Sequence, residues 1–288
     1  MDWVTGIQNA VDYIEAHITD ELDYGEAAKQ AACSPFYFQR IFGILCGIPL
    51  GEYVRSRRLT LAGSELAAGK IKVIDAALKY GYDSPESFTR AFVRFHGITP
   101  SEAKKDGGRL KSFSRVSVQI ILKGGSMMDY KIVKKEAFPV LERMEVQSID
   151  DSRNRNTIPE FWVRARADGT VEALLRQTPD RSAVYGVCYN NEPTDHKTFE
   201  YSIAARYGGG EVPAGFRVTE IPERTWAVFP CRGAMPNAIQ ETWHKICAEF
   251  FPASGYQPTY EMNIEAYSAG DMTQADYKSE IWVPVEMK

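Results

Sequence analysis

Long apolar runs are missing from this sequence of 288 residues. No stretch approaches the roughly 18 uncharged residues that a membrane-spanning helix needs. The first residues, Met1-Asp2-Trp3, begin an acidic amphipathic segment without the pattern of a signal peptide. We therefore expect a cytoplasmic protein that has no membrane partner.

Cysteine and histidine are both scarce. The five cysteines are an odd number and form no C-x-x-C pair, which argues against a disulfide framework. The four histidines never stand at ligand spacing from a cysteine, so we expect no structural zinc. A G-x-S-x-G elbow, a metal-ligand cluster and a phosphate-binding glycine loop are missing too, so we predict no catalytic residue, metal or cofactor.

A strong excess of one charge is also absent, because the formal net charge of the whole chain is only −4. The two halves differ, however. Residues 1–126 hold 16 basic and 14 acidic residues, and residues 127–288 hold 18 and 24. Within the first half, residues 29–115 hold 15 basic residues against 7 acidic ones. A nucleic-acid partner therefore stays open for the first half, and the chain length favours two domains.

What the sequence does contain is a repeat at an offset of fifty residues. The run Ser34-Pro35-Phe36-Tyr37-Phe38-Gln39-Arg40-Ile41-Phe42 shares its Ser, Pro, Phe, Arg and Phe with Ser84-Pro85-Glu86-Ser87-Phe88-Thr89-Arg90-Ala91-Phe92. Gly47-Ile48 and Gly97-Ile98 extend the match. The serines are typical of helix N-caps, the prolines of first helical positions and the glycines of helix ends. Each copy therefore predicts a capped helix.

A shorter helix is predicted before each copy. Asp23 and Glu26 have the spacing of a capping box, and the stripe from Val73 to Tyr80 recurs at helical spacing. Two helix-turn-helix units result. Between them, a helix from Gly51 to about Gly69 would be roughly 27 Å long. That length could hold the two second helices about one DNA turn, roughly 34 Å, apart.

The second helix of each unit carries candidates for base contacts. The face opposite Phe38 and Phe42 presents Phe36, Gln39 and Arg40, and the equivalent face of the other copy presents Glu86, Thr89 and Arg90, with Ser87 beside them. Arginine pairs with guanine, glutamine with adenine and glutamate with cytosine, and an aromatic ring can pack on a thymine methyl group. The predicted phosphate contacts are Lys29, Arg55, Arg57, Arg58, Lys104 and Lys105.

Simpler interpretations of these side chains stay open. Arg40 and Arg90 could each pair with an acid inside its own helical unit, and Phe36 could belong to a core. Glu86 could act on the helix N-terminus alone, where an acid is favourable.

Residues 4–107 resemble the DNA-binding domain of AraC/XylS transcription regulators. The signature GF-x-S-x-x-x-F-x-R-x-F, closing in G-x-TP, stands here as Gly81-Tyr82-Asp83-Ser84 through Phe92 and then Gly97-Ile98-Thr99-Pro100. The resemblance implies that Phe36, Gln39 and Arg40 meet bases in the first unit, and Glu86, Ser87 and Arg90 in the second. The family's Tyr-Arg after the Thr-Pro is replaced by Ala103-Lys104, which predicts a weaker or shorter last helix.

The second half changes from helical to alternating periods. A Gly-, Ser- and Lys-rich stretch, 111–126, is the predicted linker between domains 1–110 and 127–288, and Val116–Leu122 could form a short strand inside it. Helical patterns lie near Ile158–Arg176 and Pro236–Phe250. The predicted strands are Tyr130–Val133, Ala183–Tyr189, Trp226–Phe229, Asn263–Tyr267 and Glu280–Val285. The order strand–strand–helix–strand–strand occurs twice, so the fold class is multidomain: an all-α domain followed by an α+β domain of two halves.

Aromatic residues and one acid suggest a ligand site in this half. Most of the aromatics are expected to be core, but Glu265 stands in an otherwise apolar strand and must be solvated, paired or functional. An aromatic cage around a carboxylate attracts a lipophilic cation by charge and by cation–π contact. The candidate ligand-binding residues are Glu265, Tyr267, Trp162, Tyr185, Tyr201, Trp226 and Trp282.

Residues 127–288 resemble the GyrI-like effector-binding domain of multidrug-sensing regulators. The matching motifs are Ile158–Trp162, Tyr185-Gly186-Val187, Val212–Phe216, Ile221-Pro222, Trp226–Phe229, Ile264–Tyr267 and Ile281–Val285. The resemblance implies that the acid of the Glu-x-Tyr motif, here Glu265, faces the ligand. The combination with an AraC-type reader is similar to the architecture of Rob-type regulators.

These observations predict a transcription regulator that is not an enzyme. Its expected partners are double-stranded promoter DNA, RNA polymerase and a hydrophobic, cationic small-molecule effector. Two alternatives stay open for the C-terminal domain. It could be a hydrolase that uses Glu265 as a general base, or a protein-interaction module in which Glu265 is paired to a basic residue in a packed interior.

Overall fold

The computed structural model describes residues 3–105, 108–117, 127–148, 151–178, 183–189 and 198–288, with 151–156 described by their backbone alone. The chain divides into two compact units. One comprises residues 3–32 and 48–120, and the other comprises residues 33–47 and 121–288. Residues 33–47, which the predicted domain 1–110 includes, are grouped with the second unit.

The first unit consists of helices wherever the structure describes it. They are α1 (Trp3–Ala16), α2 (Tyr24–Gln30), α4 (Leu50–Ala67), α5 (Val73–Lys79), α6 (Pro85–His96) and α7 (Pro100–Ala103), while α3 (Pro35–Cys46) belongs to the second unit. Helix α4 matches the helix predicted between the two copies. Helix α7 has only 4 residues, as the missing Tyr-Arg pair predicts.

The predicted caps of the two copies are confirmed. In α6 the Ser84 hydroxyl accepts a hydrogen bond from the Ser87 amide at 3.1 Å, and in α3 the Ser34 hydroxyl accepts one from the Tyr37 amide at 3.2 Å. Both helices end at a glycine with positive φ, 71° at Gly47 and 83° at Gly97. A side chain at φ values of this kind is strained, so glycine is the residue that ends the helix here at least cost.

A buried charged network joins α1 to α4. The Glu15 carboxylate accepts hydrogen bonds from Arg57 Nε at 2.8 Å and Arg57 Nη2 at 2.9 Å, and also from the Tyr53 hydroxyl. Arg57 further donates to the Phe113 carbonyl at 2.7 Å. The Arg57 side chain is only 13% exposed, and its hydrogen-bond donors are used inside the unit. The sequence predicts that Arg57 contacts DNA phosphates, and the structure instead gives it this structural role.

The second unit is α+β. Its helices besides α3 are α8 (Asp151–Ala167), α9 (Thr170–Gln177), α10 (Asn237–Lys245), a π-helical turn (Ile246–Phe250) and α11 (Phe251–Ala253). Its strands are β1 (Lys131–Lys135), β2 (Phe138–Ser148), β3 (Ala183–Tyr189), β4 (Thr198–Arg206), β5 (Arg217–Ile221), β6 (Arg224–Arg232), β7 (Tyr256–Pro258), β8 (Met262–Ser268) and β9 (Lys278–Met287).

The strands form one antiparallel sheet in the order β1-β6-β9-β8-β3-β4-β2-β5, with β7 added along β9. The two predicted halves are visible in this order. One half supplies the neighbours β3-β4-β2 and the other the neighbours β8-β9-β6, while β1 and β5 are exchanged between them. The halves are thus related by an approximate two-fold axis through the central β3–β8 pair, where Gly186 stands directly opposite Glu265.

Helices cover one face of this sheet. Helices α8 and α9 pack on β2 and β4, and α10 packs on β6 and β9. Helix α3 contacts both groups, since it touches α8, α10 and the π-helical turn. Because side chains alternate along a strand, Glu265 and its neighbours Ile264 and Ala266 point to opposite faces.

The other face buries a second acid. The Glu142 carboxylate is fully buried and accepts hydrogen bonds at 2.6 Å from the hydroxyls of Tyr189, Ser202 and Thr219, and at 2.7 Å from Arg217 Nε. Every acceptor direction of this carboxylate is used, so we read it as a structural group.

Several elements differ from the prediction. Strands β2, β4, β5 and β7 were not predicted from the sequence. The helix predicted near Ile158–Arg176 is two helices, because Gly169 adopts a φ of 82° between them. The strand predicted at Val116–Leu122 falls largely outside the described residues, and residues 116 and 117 are not in a strand.

Two further features concern the described residues only. No helix among them combines the length and apolarity needed to cross a membrane. They also bring no three His, Cys, Asp or Glu side chains together in a way that could hold a metal ion.

Candidate functional site

Glu265 lies at the centre of the helix-covered face of the sheet. Its neighbours across the strands are Gly186 on β3 and Ile281 on β9. The carboxylate accepts a hydrogen bond from the Trp243 indole at 2.8 Å through one oxygen, and from the Tyr267 hydroxyl at 2.8 Å through the other. Helix α10 therefore supplies the donor that fixes this acid beside an aromatic ring.

A glycine opposite Glu265 makes room for two further aromatics. A β-carbon at Gly186 would lie 2.3 Å from the Tyr201 hydroxyl and 3.5 Å from the Trp162 ring. The Trp162 indole donates to that hydroxyl at 2.8 Å, and its ring packs edge-on against Tyr267 with centroids 5.2 Å apart. We call Glu265, Trp243, Tyr267, Tyr201 and Trp162 the Glu265 site.

The Glu265 site holds a cation supplied by α3. Arg40 Nη2 lies 2.8 Å from the Glu265 carboxylate, and Arg40 Nη1 donates to the Asn263 side-chain oxygen at 3.1 Å. The guanidinium carbon stands 4.5 Å from the centre of the Trp243 ring. The side chains of Arg40 and Glu265 are 20% and 14% exposed, so the pair is largely withdrawn from water.

The electrostatics of the site favour a positive guest. Burial would lower the pKa of the Arg40 guanidinium, but the charge and the hydrogen bond of Glu265, together with Cys188 and Tyr201, hold that pKa above its ordinary value. The pKa of the Tyr267 hydroxyl is raised by burial first and by the Glu265 charge second. Both tyrosine and arginine therefore keep their protons, and the tyrosine remains a hydrogen-bond donor to the acid.

Two neighbours of Arg40 on α3 are also covered. The Phe36 ring stacks on Phe199 of β4 with centroids 3.7 Å apart and planes at 24°, inside the cluster that includes Phe161 and Tyr201. Gln39 is buried as well. In this structure all three predicted base-reading residues of the first helix-turn-helix are thus turned away from solvent.

The remaining predicted ligand residues lie on the opposite face of the sheet. Tyr185, Trp226 and Trp282 are buried in one cluster, with Trp282 centred 5.6 Å from Tyr185 and 6.1 Å from Trp226. The Trp282 indole donates to Glu280 at 2.7 Å. The structure therefore brings Glu265, Tyr267, Trp162 and Tyr201 together. Tyr185, Trp226 and Trp282 lie apart from them, on the other face of the sheet.

The second predicted reading helix, α6, presents its polar face to solvent. Glu86 and Arg90 are exposed, and Thr89 is half-buried. The Ser87 hydroxyl donates to the Ser84 carbonyl at 2.8 Å, which ties this side chain to the helix start.

The predicted phosphate contacts fall into two groups. Arg55 is exposed, and Lys104 is exposed with its amine near the Ile71 carbonyl at 3.3 Å. Arg58, in contrast, donates to the carbonyls of Ile18 and Asp20, both at 2.7 Å. Like Arg57, it is a structural residue of its unit.

Sequence reasoning missed Trp243 and Asn263, and it missed Arg40 as the occupant of the site. Trp243 stands in the predicted helix near Pro236–Phe250, so the indole at the middle of an amphipathic helix was the available signal. Arg40 and Glu265 are 225 residues apart, and no local pattern joins them.

Comparison with known proteins gives matches to both parts of the chain. Residues 131–285 match the family model of integron-associated effector binding proteins, and residues 27–106 match a helix-turn-helix domain. The HTH-type transcriptional activator AarP of Providencia stuartii is 39% identical over 95 residues, which cover 33% of this chain and 70% of AarP.

Two further similarities each cover more than half of the chain. The right origin-binding protein of Escherichia coli strain K12 is 29% identical over 169 residues, covering 56% of this chain and 57% of that protein. Among solved structures, SAV2435 bound to tetraphenylphosphonium has a TM-score of 0.49 and 22% identity, covering 55% of this chain and 94% of the other.

Proposed function

Because the chain belongs to the family of AraC-type helix-turn-helix regulators that carry an integron-associated effector-binding domain, we propose that it senses a hydrophobic organic cation at the Glu265 site. It is a DNA-binding transcription regulator, and the effector-binding domain is its second unit. The proposal concerns the ligand class and the residues that bind ligand and DNA.

The main support for this proposal is that the Glu265 site already binds a cation, the Arg40 guanidinium. A guanidinium lies between a carboxylate and an indole face, at 2.8 Å from the first and 4.5 Å from the centre of the second. This is the chemistry that recognises organic cations in aromatic cages. Stacking of Phe36 on Phe199 beside it supports a ligand that joins a positive charge to an aromatic ring.

The cation proposal can be tested with tetraphenylphosphonium and the neutral triphenylphosphine oxide, titrated into the full-length protein by calorimetry. The cation is expected to bind, and the neutral compound is expected to bind at least about tenfold more weakly. Glu265→Gln should lose the preference for the cation.

Glu280→Gln is the matched control, because Glu280 also accepts a hydrogen bond from a tryptophan indole but lies on the other face of the sheet. Equal binding of the cation by wild type and Glu265→Gln would refute the proposed site.

For DNA, we propose that Glu86, Thr89 and Arg90 of α6 contact bases, with Arg55 and Lys104 on phosphates. In the first helix-turn-helix, Phe36, Gln39 and Arg40 would contact bases once they are exposed. A labelled duplex selected from a random library by the full-length protein provides the assay. Arg90→Ala should weaken binding about tenfold or more, the loss expected for one base-contacting arginine.

The control for Arg90 is Arg176→Ala, an exposed arginine of α9 in the other unit, which should leave DNA binding unchanged. An equal effect of the two substitutions would refute base contact by Arg90. Since AarP is named a transcriptional activator, RNA polymerase is the proposed protein partner.

The internal ion pair also favours a second candidate function. If the effector-binding domain recognises only α3 of its own chain, it is a protein-interaction module and takes no small molecule. A lack of cation binding by the wild-type protein would select this alternative. We propose no hydrolase activity, because Arg40, Trp243 and Tyr267 already engage both oxygens of Glu265, and a general base needs one of them for substrate.

A further inference from the structure

Helix α3 carries two incompatible sets of contacts. Its residues Phe36, Gln39 and Arg40 are the ones proposed to enter the major groove in the first helix-turn-helix unit. In this structure the same residues are buried or half-buried, with Phe36 on Phe199 and Arg40 on Glu265. One side chain cannot pair with a guanine and with Glu265 at once.

The contact of α3 with β4, β8 and α10 is specific and not merely apolar. Arg40 makes a charge-assisted hydrogen bond to Glu265, a second hydrogen bond to Asn263 and a cation–π contact with Trp243. Phe36 adds a stacked ring pair with Phe199. Because Phe36 and Arg40 are four residues apart on one helix, they enter the sheet face side by side.

The position of Arg40 coincides with the position proposed for the effector. The carboxylate of Glu265, the face of Trp243 and the hydroxyl of Tyr267 are the groups that would bind an organic cation, and they bind the guanidinium instead. Helix α3 therefore acts as an internal ligand that resembles the effector in charge and in its adjoining aromatic ring.

We propose that the effector and α3 compete for the Glu265 site, so that cation binding releases α3 for DNA. This inference rests on the proposed cation site and adds to it the direction of regulation. In this structure α3 is bound at the Glu265 site and is not available to DNA. The cation would therefore be an inducer of DNA binding.

Linkage sets what the competition can achieve. The cation binds the released state and DNA binds the released state, so each raises the affinity for the other by the same factor. That factor cannot exceed the ratio of total protein to released protein in the absence of the cation. The protein also needs no movement of the sheet itself, since the only event at the site is the exchange of one cation for another.

The test measures DNA affinity of the full-length protein with and without tetraphenylphosphonium, for wild type and three variants. Wild type should bind the selected duplex more tightly in the presence of the cation and unchanged in triphenylphosphine oxide. Glu265→Gln should bind DNA about 10- to 100-fold more tightly without any cation, the worth of one hydrogen bond to a charged group, and should not respond to it. Glu280→Gln should behave as wild type.

Asn263→Ala distinguishes the contacts that hold α3 from the groups that would bind the cation. It removes one acceptor of Arg40 and keeps Glu265, Trp243 and Tyr267. DNA affinity should rise by about 5-fold, the loss of a single hydrogen bond, while affinity for the cation should rise and not fall because its competitor is weaker. A variant that is merely destabilised would lose both, and thermal unfolding of each variant checks that it is folded.

Native cysteines report the position of α3 directly. Burial raises the pKa of the Cys188 and Cys247 thiols to about 12, and both lie near Arg40. Cys231 is also buried but its neighbours include Thr242 of α10 and Ser279. DNA binding should therefore speed the labelling of Cys188 and Cys247 by N-ethylmaleimide, measured by peptide mass spectrometry, and leave Cys231 unchanged.

The outcomes separate this inference from the proposed function. If wild type binds the cation but DNA affinity stays the same, and Glu265→Gln matches wild type on DNA, the competition is refuted while the cation site stands. If the cation does not bind but Glu265→Gln still tightens DNA binding, the cation site and the competition are refuted and α3 remains an internal clamp. Unchanged labelling of Cys188 and Cys247 in the DNA complex would refute release of α3.

Discussion

Replacing Gly186 by alanine tests how closely the central strands approach the aromatic residues of the site. The added β-carbon would lie 2.3 Å from the Tyr201 hydroxyl, far inside van der Waals contact. The Tyr201 side chain cannot move aside easily, because it is only 4% exposed and its hydroxyl accepts a hydrogen bond from the Trp162 indole at 2.8 Å. The substitution must therefore displace the ring and break this hydrogen bond.

The expected cost follows from these two effects. Overpacking of a buried site costs about 1–3 kcal/mol, and the lost hydrogen bond adds about 1 kcal/mol. Gly186→Ala should thus lower the free energy of unfolding by about 2–4 kcal/mol. Urea unfolding followed by tryptophan fluorescence suits the question, because four of the five tryptophans belong to the second unit.

Two further variants make the reasoning refutable. Gly255→Ala is the matched control, because an added β-carbon there meets no atom within 4 Å, and it should change stability by less than about 0.5 kcal/mol. Tyr201→Phe removes the clashing oxygen, so the double variant with Gly186→Ala should recover about 1 kcal/mol relative to the sum of the single effects. An additive double variant, or equal costs at Gly186 and Gly255, would show that the close approach does not limit this site.

Four other substitutions probe the two units. Burial would raise the pKa of Glu15, but Arg57 and Tyr53 hold it below 4.5; stabilisation from this depressed pKa is lost as pH falls through the folded value, so Glu15→Gln should flatten the fall of thermal stability below pH 4.5. Gly97→Ala, at a φ of 83°, should cost about 1 kcal/mol in urea unfolding, whereas Gly51→Ala within α4 should stabilise by about 0.5 kcal/mol; equal signs would contradict this. Glu142→Ala should cost about 2–6 kcal/mol, because the buried hydroxyls of Tyr189 and Ser202 lose their acceptor at about 1–3 kcal/mol each, and a cost below about 1 kcal/mol would contradict a structural role.

Local signals explain what the sequence predicts well. Ser34, Pro35 and Gly47 each act on their own backbone, so the start and the end of α3 can be read without knowledge of its surroundings. The same holds for α6 and for strands such as Ala183–Tyr189, whose apolar run is buried from residue 184 onward and whose bounds are confirmed.

Non-local packing explains what the sequence does not predict. Strand β2 was not predicted because Glu142, Arg143 and Glu145 interrupt its apolar pattern. The burial of Glu142 depends on hydroxyl groups of β3, β4 and β5, which are distant in the sequence. The assignment of Arg40 to the Glu265 site depends on a contact across 225 residues. A sequence shows that Glu265 needs a partner in an apolar strand, but the fold alone supplies that partner.

The approximate two-fold axis of the sheet has a consequence for stoichiometry. The axis passes through the Gly186–Glu265 pair, so the two halves converge on one point and do not form a site each. Two glutamates there would face each other across adjacent strands and repel. With glycine on one side, a single charge remains and the chain has capacity for one monovalent guest, whether that guest is Arg40 or a small molecule.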